Sequence, residues 1–256
     1  MKLKVSALLL SLLLSALAHA GAVLKVSIKD ASGKLLPNEI YYAQDGMMRI
    51  DSLDPQGNVD GVYIVRDGVI WQIQPLQRTF TRIDQQSLAQ MMGAGNAHLS
   101  AMMANLPPER RAMLQAQLAQ RAAASAPTFT DTGRSDRKGG YACHIWEESQ
   151  SSSVHGSYCV VPAPGLPAGD ELELAMKKAA ETASVILAGM PGPQAQRMAW
   201  FGKLNGFPVS WEFGSASQSA DREHVLTSAE AQHLPADKFA IPQGFTERPL
   251  RGSSVE

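Results

Sequence analysis

The chain is poor in cysteine, in charge of one sign and in catalytic signatures. Only Cys143 and Cys159 occur in 256 residues. They are not spaced as Cys-x-x-Cys, the usual arrangement of a redox-active thiol pair. Acidic and basic residues nearly cancel, 24 against 23. That balance leaves no electrostatic footprint for nucleic acid and no polybasic patch for an anionic membrane surface. No Gly-x-Ser-x-Gly elbow, phosphate loop, dinucleotide fingerprint or zinc-protease motif is present. The reading is therefore non-enzymatic, with no cofactor and no nucleic-acid partner. After the first twenty residues there is no long apolar run, no internal repeat and no low-complexity tract.

Those first twenty residues carry the strongest signal. Lys2 and Lys4 form a basic start, Val5 to Leu17 is an almost unbroken apolar run, and Ala18-His19-Ala20 is a small-x-small cleavage pattern. A run of about 13 residues is too short to span a bilayer as a helix, which takes ~20. The segment reads as an export signal cleaved after Ala20, with a periplasmic product that begins at Gly21. Losing Lys2 and Lys4 without any acid shifts the net charge from −1 to −3. Gly21 stands where a lipid-anchored product would carry cysteine, so no membrane anchor is expected. In an oxidising compartment the two cysteines read first as a disulfide.

From Val23 to Ile83 the pattern is β. Asp45-Gly46 and Asp67-Gly68 each join apolar runs, a signal for two-residue hairpins whose turn needs positive φ at both positions. Val69, Trp71 and Ile73 alternate onto one face, Pro75 to Arg78 turns the chain, and Thr79 to Ile83 continues it. A meander of roughly six strands is predicted. The period then changes. Leu88, Met91, Met92, Leu99, Met102, Met103 and Leu106 recur at helical spacing after Asp84, and Pro107-Pro108 opens a second helix running to Ala124. A helical insertion over about 84–124 follows.

β character returns at Thr128 to Thr130. Gly140 to Glu147 and Val154 to Val161 form a pair about a serine-rich tip. In the register that is symmetric about residue 151, Cys143 faces Cys159 and Glu147 faces His155. Arg134, Arg137 and Lys138 read as a small basic turn, either solvated or touching a lipid head group or a partner. Pro162 to Gly169 is a linker and Asp170 starts a helix through Leu172, Met176, Ala180 and Ile186. A short helix about Gln194 to Phe201 is a further expectation. Phe207, Val209, Trp211 and Phe213 alternate as a half-buried strand, Glu223 to Ala229 pairs back, and Leu234 to Phe239 is a tight helical turn.

The methionines invite three readings. Flexible, polarizable Met side chains fill irregular cores, and they equally suit a lid over an apolar ligand. Met91, His98 and Met102 share a helix face, and thioethers with an imidazole suit Cu(I). Neighbouring Met-Met pairs diverge by ~100° on a helix, which argues against both binding one ion. The remaining histidines show no zinc spacing.

Several stretches together resemble a family of exported bacterial proteins of unknown function, related in fold to the periplasmic lipoprotein carrier. They are Tyr41 to Ile50, Trp71 with Thr79-Phe80-Thr81, Gly140 to Cys143, Leu204 to Val209 and Phe239 to Phe245. The resemblance implies an α+β fold: a strongly curved antiparallel sheet, an unclosed barrel, covered by a helical lid. It implies a single domain over 21–250 with a tail at 251–256. The implied function is a binding protein that sequesters a lipid, acyl chain or other apolar ligand. Trp71, Met91, Met92, Met102 and Met103 are then the expected lining of the apolar space. The alternatives are a copper-binding protein using Met91, His98 and Met102, and a structural or regulatory partner of another envelope protein.

A bond between Cys143 and Cys159 closes a short loop, worth about 3 kcal/mol on the chain-entropy model. The double variant Cys143→Ser, Cys159→Ser should lose about that much in chemical denaturation. Stability equal to the wild type would remove the disulfide assignment.

Overall fold

A computed structural model describes residues 20–29, 32–90, 107–113, 116–117, 128–150, 153–187, 204–213 and 223–250. Within these, twelve strands form one sheet. They are β1 (Gly21–Lys29), β2 (Leu35–Gln44), β3 (Met47–Leu53), β4 (Val59–Arg66), β5 (Val69–Gln74), β6 (Thr79–Ile83), β7 (Thr128–Lys138), β8 (Tyr141–Gln150), β9 (Ser153–Val161), β10 (Phe207–Phe213), β11 (Glu223–Gln232) and β12 (Thr246–Glu247). The spatial order is β12-β6-β5-β4-β3-β2-β1-β11-β10-β9-β8-β7. One long helix, α1 (Gly169–Leu187), packs on the β1–β5 half.

The six-strand meander forms in sequence order. Both Asp-Gly turns hold positive φ, 54° and 71° at Asp45 and Gly46, 54° and 73° at Asp67 and Gly68. That backbone twist matches the twist of the flanking strands.

The expected architecture is corrected. The sheet is mixed, because β12 runs parallel to β6, and it is a single large sheet that does not close. A helical lid is not shown. Most of the 84–124 insertion, with Met91, Met92, His98, Met102 and Met103, lies outside the described residues. The physical reason is that β1, β4 and β5 each carry buried apolar residues on both faces, so both faces must be covered there. On the α1 face, Ala22, Leu24, Met48, Val65 and Ile70 pack with Leu172, Ala175, Met176 and Ile186. On the opposite face, Val23, Val62, Ile64 and Ile73 pack beneath Leu234 and Phe239 of the C-terminal segment.

Polar contacts pin that segment down. The Leu234 N–H donates to Gln44 Oε1 at 2.8 Å, and Arg49 Nη1 donates to the Lys238 carbonyl at 2.9 Å. Asp51, only 3 % exposed in its side chain, holds Arg49 at 2.5 Å and Lys238 at 3.7 Å. Lys238 Nζ also lies 3.7 Å from the centre of the Tyr42 ring. Gly21 sits inside this junction. A Cβ there would come within 2.8 Å of the Ala43 carbonyl oxygen and 2.9 Å of Leu234 Cδ1, so only glycine fits without displacing the segment.

The β8–β9 register also differs from the symmetric one. Ile145 faces Cys159 and Glu147 faces Ser157, with an irregularity between Glu148 and Ser149. The extra residue near the tip slides the strands, so the cysteines meet diagonally on one face and still bond, with Cα atoms 5.4 Å apart. His144 lies on the other face and is exposed. The basic stretch 134–138 is strand rather than turn. β7 continues through an irregularity between Asp131 and Ser135, and the turn falls at Gly139-Gly140, both at positive φ. Arg134 pairs with Glu147.

Lys138 reaches across to β11, where Glu223 accepts from it at 2.8 Å. Glu223 also accepts from Ser210 Oγ at 2.8 Å and lies 3.5 Å from Lys29. One carboxylate therefore joins β1, β7, β10 and β11. Burial alone would raise its pKa; the bonds from Lys138 and Ser210 and the charges of Lys138 and Lys29 outweigh that and hold it below the usual value.

A depressed carboxyl stabilises the fold above its ordinary pKa of 4.5 and loses that contribution as pH falls below it. Glu223→Gln should cost about 1–2 kcal/mol at pH 7, since part of the ion pairing is screened by solvent. Its melting temperature should approach the wild type's as pH falls below 4. An unchanged difference across that range would remove the assignment.

Candidate functional site

The site grows from α1. Ala163 to Gly165 makes a tight turn, and the chain enters the helix at Gly169. A Cβ at Gly169 would lie 1.8 Å from the Ala163 carbonyl oxygen, so the entry requires glycine. Asp170 and Glu171 occupy the first turn, where negative charge suits the helix dipole. Glu171 also accepts the Asp45 N–H at 2.9 Å, tying the first Asp-Gly turn to the helix. Further along, the Lys178 side chain lies over Gly46, its Cδ 2.5 Å from where a Cβ would stand. These contacts fix the helix above the β2–β3 hairpin.

The buried face of α1 carries Leu172, Ala175, Met176, Ala180, Ala183 and Ile186. Large residues seal its two ends, while Ala179 and Ala180 are too short to fill the space below them. A cavity of about 120 Å³ remains there. Its floor is Tyr41, Met48 and Ile50 from β2 and β3; Phe207, Pro208 and Trp211 from β10 form the other wall; Met176, Ala179 and Ala180 form the roof. Tyr41 and Phe207 meet edge to face at 5.8 Å. The cavity is lined by carbon apart from the polar tips of Tyr41 and Trp211.

The two aromatic walls have polar supports. The Tyr41 hydroxyl donates to Glu39 Oε2. Burial, only partly offset by that bond, raises the Glu39 carboxyl above its usual pKa. Burial, then the Glu39 charge and hydrogen bond, push the Tyr41 phenol well above its own. Trp211 stacks on the His224 ring at 4.8 Å and 12°, and Asn38 Nδ2 lies 3.2 Å from His224 Nδ1.

Of the expected lining residues, only Trp71 is described. It lies on the face opposite α1, edge to face with Phe80 at 5.8 Å and with the Arg82 guanidinium 5.6 Å from its ring. It is therefore separated from the cavity by the sheet. Met91, Met92, Met102 and Met103, like the Met91, His98, Met102 copper set, lie outside the described residues. Among the described residues no group of three His, Cys, Asp or Glu side chains could hold a metal ion. The methionines that do line a cavity are Met48 and Met176. The walls were legible separately, Phe207 and Trp211 as strand alternation and Met176 as helical spacing through 172–186, but nothing local joins β3, which carries Met48, to β10.

No protein-family model matches the chain, and no curated protein matches it. Among solved structures, an uncharacterized conserved protein from Thermus thermophilus aligns over 91 % of both chains, with TM-score 0.45 and 8 % identity. PNGF-II, in two crystal forms, aligns over 90 % of this chain and 31 % of its own, with TM-scores 0.43 and 0.41 and 10 % identity.

The Glu39 shift has a sign that can be measured. Between the ordinary value of 4.5 and the raised one, the folded chain keeps a proton that the unfolded chain has released. Stability contributed by Glu39 therefore falls as pH rises through that window. Glu39→Gln should gain melting temperature relative to wild type at pH 7 and lose that advantage at pH 4. The opposite trend would overturn this reading of the pair.

Proposed function

We propose that this protein is an exported, non-enzymatic binding protein that takes up the apolar part of a small ligand in the cavity beneath α1. The observation that carries the reading is the cavity itself: carbon-lined and bounded by two methionines and three aromatic rings. Its size sets the occupant. A dry apolar cavity of about 150 Å³ accepts a molecule the size of benzene, so about 120 Å³ takes one end of an acyl chain or a small ring rather than a whole lipid. Burial of apolar area at ~25 cal/mol per Å² drives such binding. Methionine suits the task because it repacks readily around different shapes.

Export to the periplasm belongs to the same proposal. It is supported by the basic-apolar-small pattern of residues 1–20, by a disulfide between Cys143 and Cys159 and by a first strand that begins at Gly21. Among the described residues no helix is long and apolar enough to cross a membrane.

Trp211 makes the binding test direct. Titration with a short-chain fatty acid should change tryptophan fluorescence in a way that Trp211→Phe removes, and native mass spectrometry of protein recovered from the periplasm should show a co-purified apolar molecule and an N-terminus at Gly21. Ala180→Phe, which fills the cavity, should abolish the fluorescence response while the circular dichroism spectrum is kept. A clean apo mass together with no response from the wild type would overturn the proposal.

A further inference from the structure

We propose a second ligand site, independent of the apolar cavity: a polar groove at the β5–β6 end of the α1 face that takes a small hydroxylated anion of the sugar-acid class. The strand registers explain why that end differs. One row across the sheet runs Ala22, Ala43, Met48, Val65, Ile70, Ile83, and it is apolar throughout. The adjacent row runs Leu24, Tyr41, Ile50, Tyr63, Gln72, Thr81 and turns polar at its β5–β6 end. Beyond it on β5 and β6, Gln74 faces Thr79. The sheet face thus changes from core to a grid of two carboxamides and two hydroxyls, about 5 Å apart across strands and ~7 Å along them.

A groove of about 360 Å³ lies on this grid, within the ~300–1,000 Å³ range of small-molecule sites. Gln72, Gln74, Thr79 and Thr81 line it, with Arg248 and Pro249 along its flank. Thr79 is only 7 % exposed, so its polar side chain is part of the built interior rather than a surface accident. Gln72 Nε2 donates to the Tyr63 hydroxyl at 3.1 Å, which leaves its carbonyl oxygen as an acceptor for a ligand hydroxyl. Threonine and carboxamide groups both donate and accept, as sugar hydroxyls do.

The charge decides the rest of the ligand. The Arg248 backbone N–H donates to the Phe80 carbonyl at 2.7 Å, and its Nη1 donates to Gln77 Oε1 at 3.3 Å. Gln77 positions the guanidinium without neutralising it. Among the described residues Arg248 forms no ion pair, and no carboxylate lines the groove. A guanidinium in this setting recognises a carboxylate through paired hydrogen bonds.

Amide chemical shifts of the full chain, titrated separately with glucuronate, glucose, glucosamine and acetate, test the site. Glucuronate should move the amides of 72–81 and 248–250 and saturate at about millimolar concentration. Glucose and acetate should each bind about tenfold more weakly, since each lacks one half of the recognised chemistry. Arg248→Gln, an exposed change, should bring glucuronate down to the level of glucose, and Thr81→Val should weaken glucuronate and glucose alike. No response to glucuronate up to about 10 mM, equal binding of acetate or glucosamine, or unchanged glucuronate binding in Arg248→Gln would each overturn the proposal. Filling the apolar cavity with Ala180→Phe should leave this titration unchanged, so failure of either site is read separately.

Discussion

The structure depends on one constraint: strands β1, β4 and β5 bury apolar residues on both faces of the sheet. Ile64 and Val65 are neighbours on β4, point to opposite sides and are both buried. A strand of that kind cannot lie on a solvated sheet, because either face left bare would expose a continuous apolar patch. The chain answers with α1 on one side and the segment from Leu234 to Phe245 on the other. The second cover has little regular structure of its own beyond the turn at Ala236–Phe239. It is held by side-chain hydrogen bonds from Gln44 and Arg49 and by the buried carboxylate of Asp51.

The two candidate sites follow from how completely that cover fits. Alanine at 175, 180 and 183 lets α1 approach the sheet, yet at 179 and 180 the same small side chains leave the cavity open against Tyr41 and Trp211. Further across the same face, glutamine and threonine replace the apolar row, and the surface becomes a polar groove. A single face therefore offers two chemistries, separated by the width of β4. The far end of the sheet is governed by charge instead. Glu223 gathers Lys138, Lys29 and Ser210, drawing the β7–β8 hairpin back to β11.

Much of the strand order was legible because it is local. Asp45-Gly46 and Asp67-Gly68 demand tight turns, and a tight turn makes sequence neighbours into sheet neighbours. The Cys143–Cys159 pairing was legible for a similar reason, since both cysteines flank one short hairpin. The exact register was not, because one extra residue near Ser149 slides the strands and no local preference reports it. The 134–138 stretch reads as a turn from its charges, but glycines 139 and 140 take the bend and free those residues for an edge strand, where charge is favoured.

By itself the sequence determined the meander, the α1 helix, the strand at 207–213 and the disulfide, all set by preferences acting over a few residues. It also carries the leader-like pattern at its start. Only the tertiary structure decided that β1 joins β2 to β11, that a parallel β12 closes one edge, and that Trp71 faces away from the cavity while Trp211 faces into it. Those outcomes rest on pairing between segments as distant as Gly21 and Gln232. Burial of both sheet faces selects such pairings, and an alternating apolar pattern records that a residue is buried without recording beneath what.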